Sequence, residues 1–187
     1  NDAKEYLRVQ KFPVVIKANG LAFGKGVVIA KNLEDGERAL TEMMIKKIYG
    51  ESGKKVVIEE YLEGREISIH AFCDGKTAVL FPASQDHKRI YNGNKGANTG
   101  GMGTIAPVPW VTKKDMLEIK DRIIMPTLNA LRKKGIIFQG VLFPGIMMTD
   151  EGPKVIEFNA RFGDPETQSY MRILDTDLTD IIIACIQ

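Results

Sequence analysis

Lys154-Val155-Ile156-Glu157-Phe158-Asn159-Ala160-Arg161-Phe162-Gly163-Asp164-Pro165-Glu166 is the stretch around which the rest of the chain is read. Its polar and apolar residues alternate, which predicts a strand. Ile156, Phe158, Ala160 and Phe162 are expected on a core face, and Glu157, Asn159 and Arg161 on the other. A carboxylate, an amide and a guanidinium in one row are each hard to bury without a partner. Glu157 and Asn159 offer the hard oxygen ligands that Mg²⁺ takes. Arg161 is a planar, permanent cation suited to phosphate oxygens. The row therefore reads either as a metal–phosphate cluster or as a solvated face with a surface Glu–Arg pair.

The 187 residues, 44% of them hydrophobic, suffice for one large domain or two small lobes. A formal charge of +2 gives no electrostatic footprint for nucleic acid. The lysines are scattered, without the interleaved aromatics of a stacking surface. Cys73 and Cys185 lie far apart with no CxxC spacing, so neither a disulfide framework nor a zinc site is suggested. A reducing cytosol is the simplest compartment, and a cytoplasmic protein is expected. No apolar run reaches the ~18 residues of a membrane span. The opening Asn1-Asp2-Ala3-Lys4-Glu5 is no signal peptide. The chain lacks an initiator Met and stops at Ile186-Gln187 inside a helical pattern, so a segment of a longer protein is expected.

Taken in order, Val14–Ala18 and Val27–Ala30 read as strands joined by Gly20-Leu21-Ala22-Phe23-Gly24-Lys25-Gly26. The glycine-rich tip either cradles phosphate through backbone N–H groups and Lys25, or is an ordinary hairpin tip. It fails the Walker A pattern: three residues separate Gly20 from Gly24, and no Ser or Thr follows Lys25. Lys17 lies within an apolar strand, where an ammonium needs a ligand or an acidic partner. Asn32 is a helix N-cap for a stripe of Leu33, Leu40, Met43, Met44 and Ile48. Strands are expected at 56–62, 65–73 and 76–83, forming an antiparallel region, with Ile67, Ile69 and Ala71 facing one side and Glu66, Ser68 and His70 the other. His70 reads as a satisfied strand histidine. Ser84 to Gly103 is expected to be a long loop, of the kind that is functional or disordered. A helix over 113–134 is stopped by Gly135 and kinked or divided by Pro126. A buried strand over 140–148 turns into the central strand, and Asp177 caps a last helix.

Together these stretches resemble the ATP-grasp part of the phosphoribosylamine–glycine ligase family, also called glycinamide ribonucleotide synthetases. The resemblance runs from about Phe12 to the C-terminus. It is carried by Val15-Ile16-Lys17-Ala18 with Gly24-Lys25-Gly26, Ile58-Glu59-Glu60, Gln85-Asp86-His87-Lys88-Arg89, Asn98-Thr99-Gly100-Gly101-Met102-Gly103, and Glu157-Phe158-Asn159 with Arg161-Phe162-Gly163-Asp164-Pro165-Glu166. The first pair is shared widely among ATP-grasp proteins; the last three are specific. Asn19, Phe23, Ala97 and Phe143-Pro144 depart from the family pattern, and none of them removes a proposed ligand.

The resemblance implies an α+β ATP-grasp fold: two lobes of antiparallel sheet with flanking helices and ATP between them. A small lobe over residues 1–62, incomplete at its N-terminus, is followed by a larger one over 63–187. The family's further N- and C-terminal domains are absent. It implies ATP-dependent joining of glycine to 5-phosphoribosylamine through glycyl phosphate, a step of purine synthesis. Such a segment is expected to bind ATP with weak or absent ligation. Carried over by motif, Glu157 and Asn159 hold Mg²⁺ or Mn²⁺, and Lys17, Gly24, Lys25 and Gly26 contact phosphates. Glu59, Glu60, Tyr61 and Leu62 form the adenine hinge, and Glu66 takes the ribose hydroxyls. Arg161 stabilises the transferring phosphoryl. Asp86, Lys88 and Arg89, with Asn98, Thr99, Gly100, Gly101 and Gly103, face glycine and phosphoribosylamine, together with Asp164 and Glu166. The implied partners are these small molecules and the remaining domains of the same polypeptide, with no nucleic acid and no membrane. The alternatives are another ATP-grasp carboxylate–amine ligase and a nucleotide-binding module without chemistry.

Overall fold

The computed structural model describes residues 2–22 and 26–187. Phe23, Gly24 and Lys25 of the predicted phosphate loop, and the side chain of Asn98, lie outside the described residues. The chain divides into two compact units, one ending at Leu62 and the other beginning at Glu63. No described helix is long and apolar enough to cross a membrane.

The first unit contains α1 (Asp2–Arg8), β1 (Val14–Ala18), β2 (Val27–Ala30), α2 (Leu33–Leu40) and β3 (Val56–Glu60). Its described residues form an antiparallel sheet in the order β2-β1-β3, with Ile16 opposite both Val28 and Ile58. Alternation turns Val14, Ile16 and Ala30 inward against Leu7, Ala39, Leu40 and Met43. The Asn32 side chain accepts the Asp35 N–H at 2.9 Å and starts α2 as predicted. Gly36 sits mid-helix because the helix passes close to α1: a Cβ there would stand 2.5 Å from Leu7 Cδ2. A π-helical turn, Thr41–Ile45, continues the helix. Of the predicted stripe, Leu40 and Met43 are buried, whereas Leu33 and Ile48 are exposed.

The second unit contains β4 (Arg65–Ser68), β5 (Ala71–Asp74), β6 (Ala78–Leu80), β7 (Gln85–Asp86), β8 (Arg89–Tyr91), β9 (Lys95–Asn98) and β10 (Thr104–Ile105). These are followed by α3 (Lys113–Ile119), α4 (Met125–Lys133), β11 (Gln139–Thr149), β12 (Gly152–Asn159), α5 (Glu166–Ile173) and α6 (Leu178–Ile186). The long strand β11 is the axis of the main sheet. It pairs with β12 along one edge, and along the other with β5 through Gln139–Leu142 and with β4 through Gly145–Met148. On one face, Ile67, Ile69, Ala71, Leu142 and Ile146 pack with Ile119, Ile124 and Leu128. On the other, Phe72, Phe81, Val141, Tyr170 and Cys185 form a second cluster.

Three expectations need correction. The run 65–73 is two strands, interrupted at Ile69-His70, and β3 belongs to the first sheet rather than beside β4. The segment 84–103 is not an irregular loop: β7 pairs with β10, and β8 pairs with β9. Its strands are too short and polar to show a hydrophobic period. The helix over 113–134 is divided, as expected, and the division is a π-helical turn, Lys120–Ile124, in which Met125 N–H reaches Lys120 O. This places Pro126, which has no N–H to donate, at the start of α4.

The third correction concerns the central strand. Its register slips where Gly145 faces Glu157 and Ile146 faces Val155, so Ile156 is the inserted residue. Val155 packs on the core, but Ile156 is only half-buried, Ala160 is exposed and Phe158 is 49% exposed. The helical layer reaches the Gly152 end of β12, where Glu118 and Arg122 approach, and α3 does not run on to Phe158.

Ile146 is fully buried at the centre of this packing. Ile146→Ala is expected to destabilise the protein by about 2–5 kcal/mol, read as a lower denaturant midpoint with an unchanged slope.

Candidate functional site

In the second unit the polar row of β12 does share one face. Asn159 Nδ2 donates to Glu157 Oε1 at 3.2 Å, and Phe143 of β11 lies directly opposite Asn159. Beyond the strand end, the Arg161 guanidinium carbon stands 5.9 Å from the Phe143 ring centroid, and its Nη1 donates to Phe162 O at 2.9 Å. Among the described residues no group of three or more His, Cys, Asp or Glu side chains is arranged to hold a metal by itself. One carboxylate and one amide fit an ion such as Mg²⁺, which keeps several waters and takes its other ligands from phosphates.

The segment 85–103 brings a second set of charges. Lys88 Nζ makes a very short contact with Glu66 Oε1, and Gln85 Nε2 donates to Glu66 O at 3.2 Å. Burial works against the Lys88 charge, but Glu66 first, then Glu157 and Asp86, outweigh it and raise the pKa. Lys88 thus stays an ammonium within the field of the β12 carboxylate. Asp86 is pushed the other way for a carboxyl: burial raises its pKa, and Glu166 and Glu66 add to this against Lys88. Its Oδ1 is buried with no hydrogen-bond partner among the described residues.

The predicted 98–103 stretch is stitched to 85–89 through backbone. Thr99 N–H donates to Lys88 O at 2.7 Å, Met102 N–H to His87 O at 2.8 Å, and His87 N–H to Gly103 O at 2.9 Å. Gly101 has φ +124 and no room for a side chain: a Cβ would lie 2.5 Å from Pro165 Cδ and 3.1 Å from Asp86 Oδ1. Gly100 is open, with no described atom within 4 Å of where a Cβ would stand, and Asn98 ends β9 opposite Arg89. Arg89 is turned onto its own hairpin, donating to Gly96 O at 2.6 Å. Asp164 is exposed and accepts from Gln168 at 2.8 Å. Glu166 is buried, accepting the Ser68 hydroxyl at 2.7 Å.

In the first unit, Lys17 Nζ lies 2.6 Å from Glu59 Oε2. The register places Val15, Lys17, Val27, Ile29, Val57 and Glu59 on the sheet face opposite the core. Val27 is 48% exposed, Ile29 47% and Val57 40%, an apolar surface around one ion pair. A face of this kind suits a flat aromatic base with a charged tail. Glu60 and Tyr61 are exposed and Leu62 half-buried at the end of β3, and Gly26 O accepts the Ala18 N–H at 2.8 Å.

Residues 1–167 match the family model described as phosphoribosylglycinamide synthetase, ATP-grasp (A) domain. The chain belongs to that family. It is 48% identical over 186 residues to the phosphoribosylamine–glycine ligase of Caldanaerobacter subterraneus subsp. tengcongensis, covering all of this chain and 45% of that relative. It is 49% identical over 184 residues to a bifunctional purine biosynthetic protein of Schizosaccharomyces pombe, covering 98% of this chain and 23% of that one. The crystal structure of phosphoribosylamine–glycine ligase from Thermotoga maritima superposes with a TM-score of 0.85 at 35% identity, over 98% of this chain and 46% of that one. The phosphoribosylglycinamide synthetase A-domain chain thus has the expected α+β ATP-grasp fold and spans less than half the length of these relatives. ATP-grasp ligases use ATP.

Sequence reasoning missed the apolar members of the first unit's open face. The signal was present: Val14-Val15-Ile16 and Val27-Val28-Ile29 are apolar on both faces, which a half-solvated strand is not. It also missed the support beneath the second unit's site. Ser68, His70 and Ser84 are buried, and Tyr170 donates to Ser84 Oγ at 2.7 Å. Burial first, then Arg161, lowers the His70 pKa from 6.5 to about 3. The unfolded chain therefore binds a proton more readily than the folded one between these values, and this stabilising contribution is present above pH 6.5 and is lost as pH falls toward about 3. Denaturant midpoints are expected to drop from pH 6.5 downward more steeply in the parent protein than in His70→Phe, and the difference between the two curves isolates this residue.

Proposed function

We propose that the polypeptide carrying this chain joins glycine to 5-phosphoribosylamine with ATP, releasing ADP and phosphate. The observation that carries the proposal is the row Glu157, Asn159 and Arg161 at the end of one strand, beside the charged Lys88–Glu66 pair, in a chain of this family. In the first unit, the Val15, Val27, Ile29 and Val57 face receives the adenine, with Glu59 to Leu62 as the hinge and Lys17 on a phosphate. Gly24, Lys25 and Gly26 complete the phosphate contacts. In the second unit Glu66, one of whose oxygens is held by Lys88, takes the ribose hydroxyls with its remaining acceptor capacity. Glu157 and Asn159 hold Mg²⁺ or Mn²⁺, which neutralises phosphate charge when bound.

The chemistry needs positioning and charge neutralisation more than covalent help from the protein. A glycine carboxylate oxygen forms a bond to the γ-phosphorus as the bond to the ADP oxygen breaks. Arg161 faces the charge that spreads over the transferring phosphoryl oxygens. The amine nitrogen of phosphoribosylamine then attacks the acyl carbon, phosphate leaves, and the nitrogen gives up a proton. Lys88, Asp86 and the 98–103 backbone hold the two substrates. Asp86, with its raised affinity for a proton, suits the acceptor role for the attacking amine. Arg89, Asp164 and Glu166 belong to the same substrate end.

Titration calorimetry with a non-hydrolysable ATP analogue tests the nucleotide and metal assignments. Binding is expected to require Mg²⁺ or Mn²⁺ and to weaken about tenfold or more, ~1.4 kcal/mol, in Glu157→Ala. Equal affinity in that variant would remove Glu157 from the metal site. In the full-length protein, ADP release is expected to depend on both glycine and phosphoribosylamine. Release with a different carboxylic acid and not with glycine would replace this reaction by another ligation.

A further inference from the structure

The turn from β12 into α5 carries Arg161 at its start and Glu166 at its end, and it is held from beneath by two side chains, one from the end of β4 and one from the break that follows it. Ser68 Oγ donates to Glu166 Oε1 at 2.7 Å, and Gly163 N–H donates to His70 Nε2 at 3.0 Å. Ser68 ends β4 and His70 stands in the break before β5, and both side chains reach the same turn. Gly163 is wedged between His70 and Glu166: a Cβ there would lie 2.8 Å from His70 Nε2 and even nearer Glu166. Thr167 closes the turn from the other end, its N–H donating to Gly163 O at 3.1 Å and its hydroxyl at 2.5 Å.

His70 is 0% exposed. Its ring stacks on Phe143 with centroids 4.0 Å apart and meets the edge of Tyr170 at 4.9 Å. Arg161 approaches the same Phe143 ring. A ring nitrogen that accepts from an N–H carries no proton, so the proton of the neutral ring sits on Nδ1. That Nδ1 is buried with no hydrogen-bond partner among the described residues. A buried donor left without a partner is costly. The fold tolerates this cost where Leu or Phe would pack without it, which points to a use for the acceptor on the opposite nitrogen.

We propose that His70 is a positioning residue for phosphoryl transfer: as a neutral ring accepting the Gly163 N–H, and stacked on Phe143, it fixes the turn that sets Arg161 against the transferring group. The proposal rests on the ligase reading above. Nothing in it requires His70 to touch a substrate.

Two variants separate the acceptor from the packing. His70→Phe keeps an aromatic ring against Phe143 and removes the acceptor. His70→Gln loses the ring and keeps an oxygen near the position of Nε2. In the full-length protein, His70→Phe is expected to lower kcat by about 10- to 100-fold while the KM for ATP changes by less than about threefold, as a small misplacement of a charge-stabilising group does. His70→Gln is expected to recover most of kcat even where its Tm is the lower of the two. A purely structural role predicts the opposite: activity loss that follows Tm, with His70→Gln no better than His70→Phe. That result, or a His70→Phe kcat within about twofold of the parent, overturns the proposal. If His70→Phe does not fold, nitrogen NMR of the parent decides. Nε2 is expected to be unprotonated and coupled to the Gly163 N–H, and a proton on Nε2 overturns the proposal. Failure of the ligase reading shows itself separately, as a parent protein without glycine-dependent ADP release.

Discussion

The pairing of β11 with β12, and the slip within it, is the constraint on which the second unit depends. Before the slip the strand follows the core: Val155 lies opposite Ile146, which is fully buried. After it, Glu157 and Asn159 lie opposite Gly145 and Phe143, on the other side of the sheet. A bulge re-aims side chains without ending the strand. One chain segment thus serves the hydrophobic core with its first half and presents polar ligands with its second. β11 tolerates this because it is held along its other edge by both β4 and β5. Glu157 and Asn159 sit on the edge strand β12, which is paired to this anchored strand, and groups held on a sheet move less than groups on a loop.

The same sheet carries a layer of buried polar contacts directly beneath the polar row. Ser68, His70, Ser84, Glu166 and Tyr170 are all nearly or fully buried, and hydrogen bonds join Ser68 to Glu166, Tyr170 to Ser84, and Gly163 to His70. Each such bond contributes only about 1 kcal/mol net. Their larger effect is on geometry, since a buried partner left unmatched is penalised and alternative turn conformations lose ground. The Lys88–Glu66 pair is different. Both side chains remain more than a third exposed, so the pair adds at most about 1 kcal/mol to stability. It orders two charged groups at the rim rather than holding the fold.

The two units answer different chemical demands. The first offers an apolar sheet face with one ion pair upon it, suited to a flat base. The second concentrates oxygen ligands and cations, suited to phosphate and metal.

Much of this was legible in the residues themselves. The antiparallel pairing of 14–17 with 27–30, the Asn32 and Asp177 caps and the stop at Gly135 follow from local rules, and all are present among the described residues. The composition of the row Glu157, Asn159 and Arg161 was visible as a pattern of side-chain chemistry, because strand alternation alone puts such residues on one side. Other features depend on partners distant in sequence. The slip at Ile156 shows only in the pairing of β12 with β11, and the pairing of Asp86 with Thr104 gives order to a stretch with no period of its own. His70 looked like any strand histidine until Gly163, 93 residues away, was brought to its Nε2. Local sequence determined which elements form and which chemical groups they carry. Only the tertiary structure decided which of those groups are buried, and against what, because burial and hydrogen bonding are properties of neighbours that the chain order does not name.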